Sequence, residues 1–442
     1  MEPLRAVRKN GVILMKRKSL PVLCLLVLCV LSLSLTSCSQ FLITETETPK
    51  YVTREDLNTA LKNYANLGAA TVIGGDTYQV NVTTSGNDSI IAASKALLST
   101  VSVFCTFEKT VYFWGTGGRM STQQYSSAGA GVIFRLDKAR GEAYILTNYH
   151  VVYDSASNAK NHISNAISIY LYGQEAKGYE IPATYIGGSM NYDLAVLKVE
   201  NSAILTASNA AAVTFADSNE VSVLQTAIAV GNPEARGLSI TVGHVNVDSE
   251  YITLTASDNA STVSLRVMRI DAAVNSGNSG GGLFDAKGNL IGIVNAKMSS
   301  DSVDNIGYAI PSNIARYIAE NILYYCDGTE KESVYRCLIG ITVSAIEYST
   351  LYDTESGKVH RIETVAVDGI TAGSISDGKL QKGDVIRSMT IDGEEYEVMR
   401  VYNVVDSMLN ARIGSSVIVH VERGEQEIDV VLEITEAALT AA

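Results

Sequence analysis

At 442 residues, with 46% hydrophobic and 18% charged residues, 35 Gly and only 6 Pro, the composition is that of an ordinary globular chain and excludes a disordered or collagen-like one. The length accommodates roughly two to four domains and at least one large core. Net charge is −13, and residues 1–37 carry a net +5, so the remainder carries −18 and is repelled by phosphates; no nucleic-acid partner is expected.

Lys16, Arg17 and Lys18 precede an apolar run over 20–35. A basic segment followed by a run shorter than the roughly 20 residues of a spanning helix reads as a secretory signal, with Met15 as an alternative start. The run ends in Leu35-Thr36-Ser37-Cys38, which resembles the lipobox of bacterial lipoproteins and implies lipidation at Cys38. A single N-terminal transmembrane helix is the alternative, and either anchor places the rest outside the cytoplasm. Residues 1–37 are therefore assigned to the signal peptide and 38–87 to a polar stalk, in which Thr53-Arg54-Glu55-Asp56 resembles the start of a short helix.

From 88 the pattern changes. Residues 90–98 have helical spacing. Short β-like runs then alternate with Gly, Asn, Asp and Ser: Gly131-Val132-Ile133-Phe134, Ala143-Tyr144-Ile145-Leu146, Ala195-Val196-Leu197-Lys198-Val199, Ala227-Ile228-Ala229-Val230, Tyr251-Ile252-Thr253-Leu254 and Leu290-Ile291-Gly292-Ile293-Val294. Such runs predict a sandwich or barrel rather than βαβ units. A helix closes the region, with Pro311 at its start, Ser312 or Asn313 as cap, and Ile314, Tyr317, Ile318, Ile322 and Leu323 on one face. A polar link over 326–331 leads to a third region that mixes strands with a helix at 402–411. Cys105, inside Val103-Phe104-Cys105-Thr106-Phe107, reads as a buried strand thiol. Cys326 and Cys337 flank the link, as thiols or as a pair. No CxxC motif or His/Cys cluster suggests a metal.

Three segments carry chemistry. They are Leu146-Thr147-Asn148-Tyr149-His150-Val151-Val152, then Asn191-Tyr192-Asp193-Leu194-Ala195, then Asp271-Ala272-Ala273-Val274-Asn275-Ser276-Gly277-Asn278-Ser279-Gly280-Gly281. A Ser hydroxyl needs a base to take its proton as it attacks, and His does this near neutral pH. A buried carboxylate sets the ring tautomer and stabilises the imidazolium. His150, Asp193 and Ser279 follow one another at spacings of 43 and 86, the chain order of chymotrypsin-fold proteases rather than of subtilisins or α/β-hydrolases. That order favours Asp193 over Asp271, the other acid near Ser279. His162, His244, His360 and His420 lie in no motif. Small residues let the backbone turn sharply, so the Gly277-Asn278-Ser279 stretch is read as an oxyanion hole built from the N–H groups of Gly277 and Ser279.

These segments resemble the HtrA family of trypsin-like serine proteases. So do Ala128-Gly129-Ala130-Gly131-Val132-Ile133, with Ala130 where the family has Ser; Ala229-Val230-Gly231-Asn232-Pro233; and Asn305-Ile306-Gly307-Tyr308-Ala309-Ile310-Pro311. The resemblance implies a mostly β fold: a chymotrypsin-like double six-stranded β-barrel protease domain over 88–327, followed by an α+β PDZ domain over 335–436. It places Val274, Lys297, Ile306 and Tyr308 in the S1 region. An apolar wall at Val274 implies a small aliphatic P1 residue, with the Lys297 ammonium turned to solvent. Proteases activated by prodomain cleavage resemble one another in carrying Asp where Asn278 stands. Asn cannot pair with a new N-terminal amine, so activity is expected to depend on loop ordering.

In the C-terminal region, Cys337-Leu338-Ile339-Gly340-Ile341 resembles the carboxylate-binding loop of a PDZ domain, and Gly378-Lys379-Leu380-Gln381-Lys382-Gly383-Asp384-Val385-Ile386 its Gly-Asp-Val-Ile segment. The resemblance implies capture of C-terminal peptides at Leu338, Ile339, Gly340 and Ile341, strand addition along 342–346, and a groove wall at 402–411. It further implies hydrolysis of unfolded envelope polypeptides without ATP or cofactor, and a homotrimer or larger assembly. The rival expectation is a proteolytically silent scaffold that binds peptides.

Overall fold

The computed structural model describes residues 87–113, 119–296, 306–325, 334–354 and 356–441. The signal, Cys38, the stalk to residue 86, Lys297 and Cys326 lie outside the described residues. Helix α1 (Asn87–Ser99) realises the helical spacing at 90–98. It turns Ala92 and Ala96 to the core, whereas Ile90 is 64% exposed. Residues at i and i+4 share a helix face, and two alanines there let the backbone approach the barrel closely.

Strands β1 (Thr100–Phe113), β2 (Arg119–Asp137) and β3 (Glu142–Thr147) are followed by the one-turn helix α2 (Tyr149–Val152). Then come β4 (Ala166–Leu171), β5 (Ile181–Ser189) and β6 (Leu194–Val199). These six strands close into a barrel in the order β1-β2-β3-β6-β5-β4. Strands β7 (Thr226–Gly231), β8 (Ser239–Thr255), β9 (Thr262–Ile270), β10 (Gly282–Phe284), β11 (Leu290–Val294) and β12 (Gly307–Pro311) close a second, in the order β10-β11-β12-β9-β8-β7. The short runs thus form the two six-stranded barrels expected.

Side chains alternate across a strand, and this explains why several runs are apolar throughout. In β6, Ala195, Leu197 and Val199 fill the first barrel, while Leu194 and Val196 face the seam between barrels. In β11 a register shift opposite β10 at Ile291 interrupts the alternation, so Ile291 and Val294 fill the second barrel while Leu290 and Ile293 face the same seam. There Val132, Leu146, Leu194 and Val196 pack with Val230, Leu265, Phe284 and Ile293. Helix α3 (Ser312–Tyr325) adds Ile314, Ile318 and Ile322. Each such burial stabilises by about 1.5–3 kcal/mol, so the seam holds the barrels in a definite relation.

The start of α3 differs from expectation. The Ser312 hydroxyl does not cap its own helix but donates to the Ala216 carbonyl at 2.7 Å. The Asn313 N–H donates to Ser218 Oγ at 3.1 Å, so a distant loop supplies the cap. Cys105 is fully buried, and burial pushes its thiol up to about 12.

The C-terminal unit contains β13 (Tyr335–Cys337), β14 (Ile341–Asp353), β15 (Lys358–Ile370), β16 (Val385–Ile391) and β17 (Glu394–Glu397). Helix α4 (Val401–Ser407), β18 (Ser416–Arg423), β19 (Gln426–Glu433) and β20 (Leu439–Ala441) complete it. The sheet runs β14-β15-β16-β18-β19, with β17 on β16, and β13 pairs with β20. Strand β14 is therefore an edge. The helix expected over 402–411 is shorter, its end tightening into a 3-10 turn at Met408–Asn410. The Cys337 thiol is buried and directed to the Ala411 carbonyl at 3.4 Å. The Arg266 guanidinium of β9 pairs with Asp406 of α4 and lies 4.0 Å from the centre of the Tyr402 ring, and Arg400 pairs with Asp248 at 2.6 Å.

Candidate active site

His150 stands on α2, directly after β3, and the buried Val151 and Val152 anchor that turn in the first barrel. Asp193 occupies the tight turn between β5 and β6 with a left-handed φ of 49°. Its backbone carbonyl accepts from the Tyr149 N–H at 3.1 Å and from Asn148 Nδ2 at 2.8 Å, which ties the two loops together. Its carboxylate faces His150. Oδ2 accepts from ring Nδ1 at 2.7 Å and Oδ1 from the His150 backbone N–H at 3.0 Å. The acid is nearly buried and the imidazole side chain is 18% exposed, so water competes little for the pair while the ring keeps an open side.

Ser279 lies in the loop between β9 and β10 and is 5% exposed. Its carbonyl accepts from the Ala130 N–H at 2.8 Å, a bond that joins the two barrels. Only the backbone of Ala130 serves there, so the missing hydroxyl at that position costs nothing in this contact. Gly280, at φ 82°, passes so close to the first barrel that a Cβ would lie 2.2 Å from the Ala130 carbonyl. Ser279 Oγ accepts from the Ala296 N–H at 3.1 Å and makes no hydrogen bond to the His150 ring. The structure thus pairs His150 with Asp193 and brings the Ser279 loop against their barrel, without a bond between Ser279 and the His150 ring.

The Gly277-Asn278-Ser279 stretch is held by the loop after β7. Asn232 N–H donates to the Gly277 carbonyl at 3.1 Å, and Glu234 N–H to the Ser276 carbonyl at 3.0 Å. Gly277 has φ 96°, and a Cβ there would stand 2.1 Å from the Asn232 carbonyl. The Ser276 carbonyl points at Glu234, so the Gly277 N–H on the same peptide plane points the opposite way. Among the described residues, the N–H groups of Gly277 and Ser279 meet no acceptor. Asn278 is buried, its Oδ1 without a partner.

Around the S1 candidates, Val274 packs against Gly307, and Ile306 and Tyr308 are half-buried beside it in sequence. The Tyr308 carbonyl accepts from the Asn295 N–H at 2.9 Å. In the C-terminal unit, Leu338 is exposed but its N–H is committed to the Ala438 carbonyl at 2.7 Å. Of the loop's amides outside strands, only those of Ile339 and Gly340 have no acceptor among the described residues. Ile341 opens edge strand β14.

Asn295 was not singled out in the sequence, yet its Nδ2 donates to Asp193 Oδ2 at 2.6 Å. No short motif marks it, because its partner lies 102 residues away. A cavity of about 510 Å³, with Tyr317 and Tyr396 beside acids Asp217, Glu220 and Glu394, is lined by none of the triad, oxyanion-hole, S1 or Leu338–Ile341 candidates, but it is bordered by Asn403, Asp406 and Ser407 of the expected groove wall. Among the described residues no cluster of His, Cys, Asp and Glu is arranged to hold a metal.

Two closed six-stranded barrels, with a His and an Asp paired on one and Ser279 in a loop of the other, are the architecture of a trypsin-like serine peptidase. Comparison with known proteins agrees. The family model described as trypsin-like peptidase domain matches residues 129–293. The chain is 36% identical over 235 residues to the serine protease Do-like HtrA of Bacillus subtilis, covering 53% of this chain and 46% of that protein. It is 31% identical over 329 residues to the serine protease Do-like HtrA of Lactococcus lactis subsp. cremoris, covering 69% of this chain and 74% of that one. The periplasmic serine endoprotease DegP of Salmonella typhimurium is 33% identical over 214 residues, 48% of this chain and 39% of that protein. The chain belongs to the HtrA family of serine proteases, and its fold and family are those of serine endopeptidases. It spans about half the length of the Bacillus relative.

Proposed function

We propose that the protein is an ATP-independent serine endopeptidase that degrades misfolded or damaged polypeptides outside the cytoplasm, with His150, Asp193 and Ser279 as its triad. The observation that carries this reading is the 2.7 Å contact of His150 Nδ1 with the nearly buried Asp193 carboxylate. That contact leaves Nε2 as the base. Ser279 Oγ rotates from the Ala296 amide toward Nε2 and attacks the substrate carbonyl as the imidazole takes its proton. The developing oxyanion is received by the N–H groups of Gly277 and Ser279, and losing one such donor typically costs about a hundredfold to a thousandfold. The imidazolium then protonates the leaving amine, and water hydrolyses the acyl-enzyme by the reverse sequence. No cofactor takes part.

The C-terminal unit acts as a PDZ domain. A peptide's terminal carboxylate binds at the free amides of Ile339 and Gly340, and its backbone extends edge strand β14 beside α4. Val274, Ile306 and Tyr308 shape an S1 pocket for small aliphatic residues, with Lys297 at its edge. Cys38 carries the lipid anchor, the chain assembles as a trimer or larger oligomer, and a relative named as periplasmic supports an extracytoplasmic site.

One observation favours a second reading, a proteolytically silent peptide-binding scaffold: Ser279 and the His150 ring are not hydrogen-bonded. Fluorophosphonate labelling and casein hydrolysis by the full chain, with and without a peptide bearing a free C-terminus, separate the two. Labelling and hydrolysis that both vanish in Ser279→Ala support the peptidase. Absence of both in the parent under every condition supports the scaffold.

A further inference from the structure

A cavity of about 320 Å³ lies where the second barrel, α3, α4 and β13 meet, and Asn191 and Tyr192 of the turn that carries Asp193 border it. That volume is in the range of small-molecule sites, which favour such junctions. Its charged lining is Arg266, Arg336 and Asp406, two guanidiniums against one carboxylate, in a chain of net charge −13. The 510 Å³ cavity is the reverse, with acids gathered around Arg316. The smaller cavity is therefore a place where an otherwise acidic protein favours an anion.

Two donors in its walls are unmet. Arg266 is 3% exposed, and its Nη2 pairs with Asp406, yet its buried Nε has no acceptor among the described residues. Arg336 donates to the Tyr192 phenol, and its buried Nε is likewise without an acceptor among the described residues. Buried donors are as a rule paired, so two unpaired ones on one cavity call for a group that accepts. Water would take the bonds but leave the surplus charge, whereas a carboxylate meets both. The other walls are apolar or aromatic: Leu265 and Ile314 are buried, and Tyr192 and Tyr251 bring rings. Burial raises both phenols, Tyr251 to about 12, so neither is an anion that would repel another at neutral pH. Tyr251 and Val405 are exposed and mark the mouth.

We infer that this cavity binds a small aromatic carboxylate, with its anion on Arg336 and Arg266 and its ring against Tyr192 and Tyr251, and that occupancy acts on turnover through the Asp193 turn. The site itself goes beyond the proposed peptidase activity. Its effect on turnover rests on the reading of His150, Asp193 and Ser279 as the triad, because Asn191 and Tyr192 directly precede Asp193.

The test titrates the full chain with 2-naphthoate, its neutral counterpart 2-naphthamide, and acetate, by ligand-observed NMR, and follows hydrolysis of labelled casein. Expected for 2-naphthoate is a Kd of about 1 mM or tighter. Binding of 2-naphthamide and of acetate is expected to be weaker by about tenfold or more, and Arg336→Met to lose about as much for 2-naphthoate. Saturating 2-naphthoate changes kcat by about twofold or more in the parent and not in Arg336→Met. Absence of binding, equal affinity for acid and amide, or an Arg336→Met that binds like the parent overturns the inference. So does displacement of 2-naphthoate by a peptide with a free C-terminus, which would assign the carboxylate to the Ile339 and Gly340 amides. Should Arg336→Met not fold, Tyr251→Ala at the exposed mouth decides: affinity within about twofold of the parent overturns the site. Binding with kcat unmoved overturns the effect on turnover. Hydrolysis that survives Ser279→Ala sinks the triad reading and leaves the binding result standing.

Discussion

Asp193 holds His150 at two points, its ring through Oδ2 at 2.7 Å and its backbone N–H through Oδ1 at 3.0 Å. The second bond fixes where the residue starts, and the first fixes how its ring is turned. Asp193→Asn keeps the shape but offers an amide in place of one acceptor, which favours the wrong ring tautomer. Turnover of labelled casein is expected to fall by about ten thousandfold, with thermal stability nearly unchanged. Steady-state kinetics with a melting curve would check both halves.

Gly277 tests the amide cradle. Its left-handed φ and the Asn232 carbonyl leave no room for a methyl group. Gly277→Ala must move the loop and turn its N–H away. A loss of about a hundredfold or more in kcat is expected, with a stability cost of about 1–3 kcal/mol that is small beside the catalytic effect. A variant of ordinary turnover would show that this amide is not used.

The buried Arg266–Asp406 pair joins the second barrel to α4. Asp406→Ala strands a guanidinium that is 2% exposed, at a cost of about 3–5 kcal/mol. Replacing both partners by apolar residues of similar size, Arg266→Met with Asp406→Leu, is expected to recover most of that loss. Urea denaturation of the three variants measures it.

Asp384, in the Gly383-Asp384-Val385-Ile386 segment, accepts from Arg423 Nε at 2.7 Å and Nη2 at 2.8 Å, and from the Gln381 N–H at 2.8 Å. Burial raises its carboxyl, but the Arg423 fork and the Gln381 amide outweigh burial and hold it below the ordinary carboxylate range. A depressed folded-state value means stability that is fully present above that range and lost as pH falls through the lowered value. Asp384→Asn is expected to cost about 2 kcal/mol at neutral pH and to flatten the acid limb of the stability curve. Denaturant midpoints measured from neutral pH downward would show it.

Much of the fold was legible because alternation and turn residues are local signals. The run Ala195-Val196-Leu197-Lys198-Val199 reads as a strand whatever surrounds it. The helix at 90–98 was legible as a helix, but not which face it buries, since Ile90 and Ile91 outrank Ala92 and Ala96 in hydropathy and lose to them in fit. The cap of α3 was misread because Ser312 finds a carbonyl at Ala216, 96 residues away. The commitment of the Leu338 amide to Ala438 was hidden for the same reason.

By itself the sequence determined the chemical types and their order: an imidazole, a carboxylate and a hydroxyl, each set in short segments whose residues favour a turn or a strand. Such segments are read over a few neighbours, where backbone sterics and side-chain alternation act. Only the tertiary structure decided that Asn295 joins Asp193 across the seam, and that Ser279 Oγ turns to the Ala296 amide rather than to His150. Those contacts depend on where two separately closed barrels come to rest against each other, which is set by packing over the whole seam.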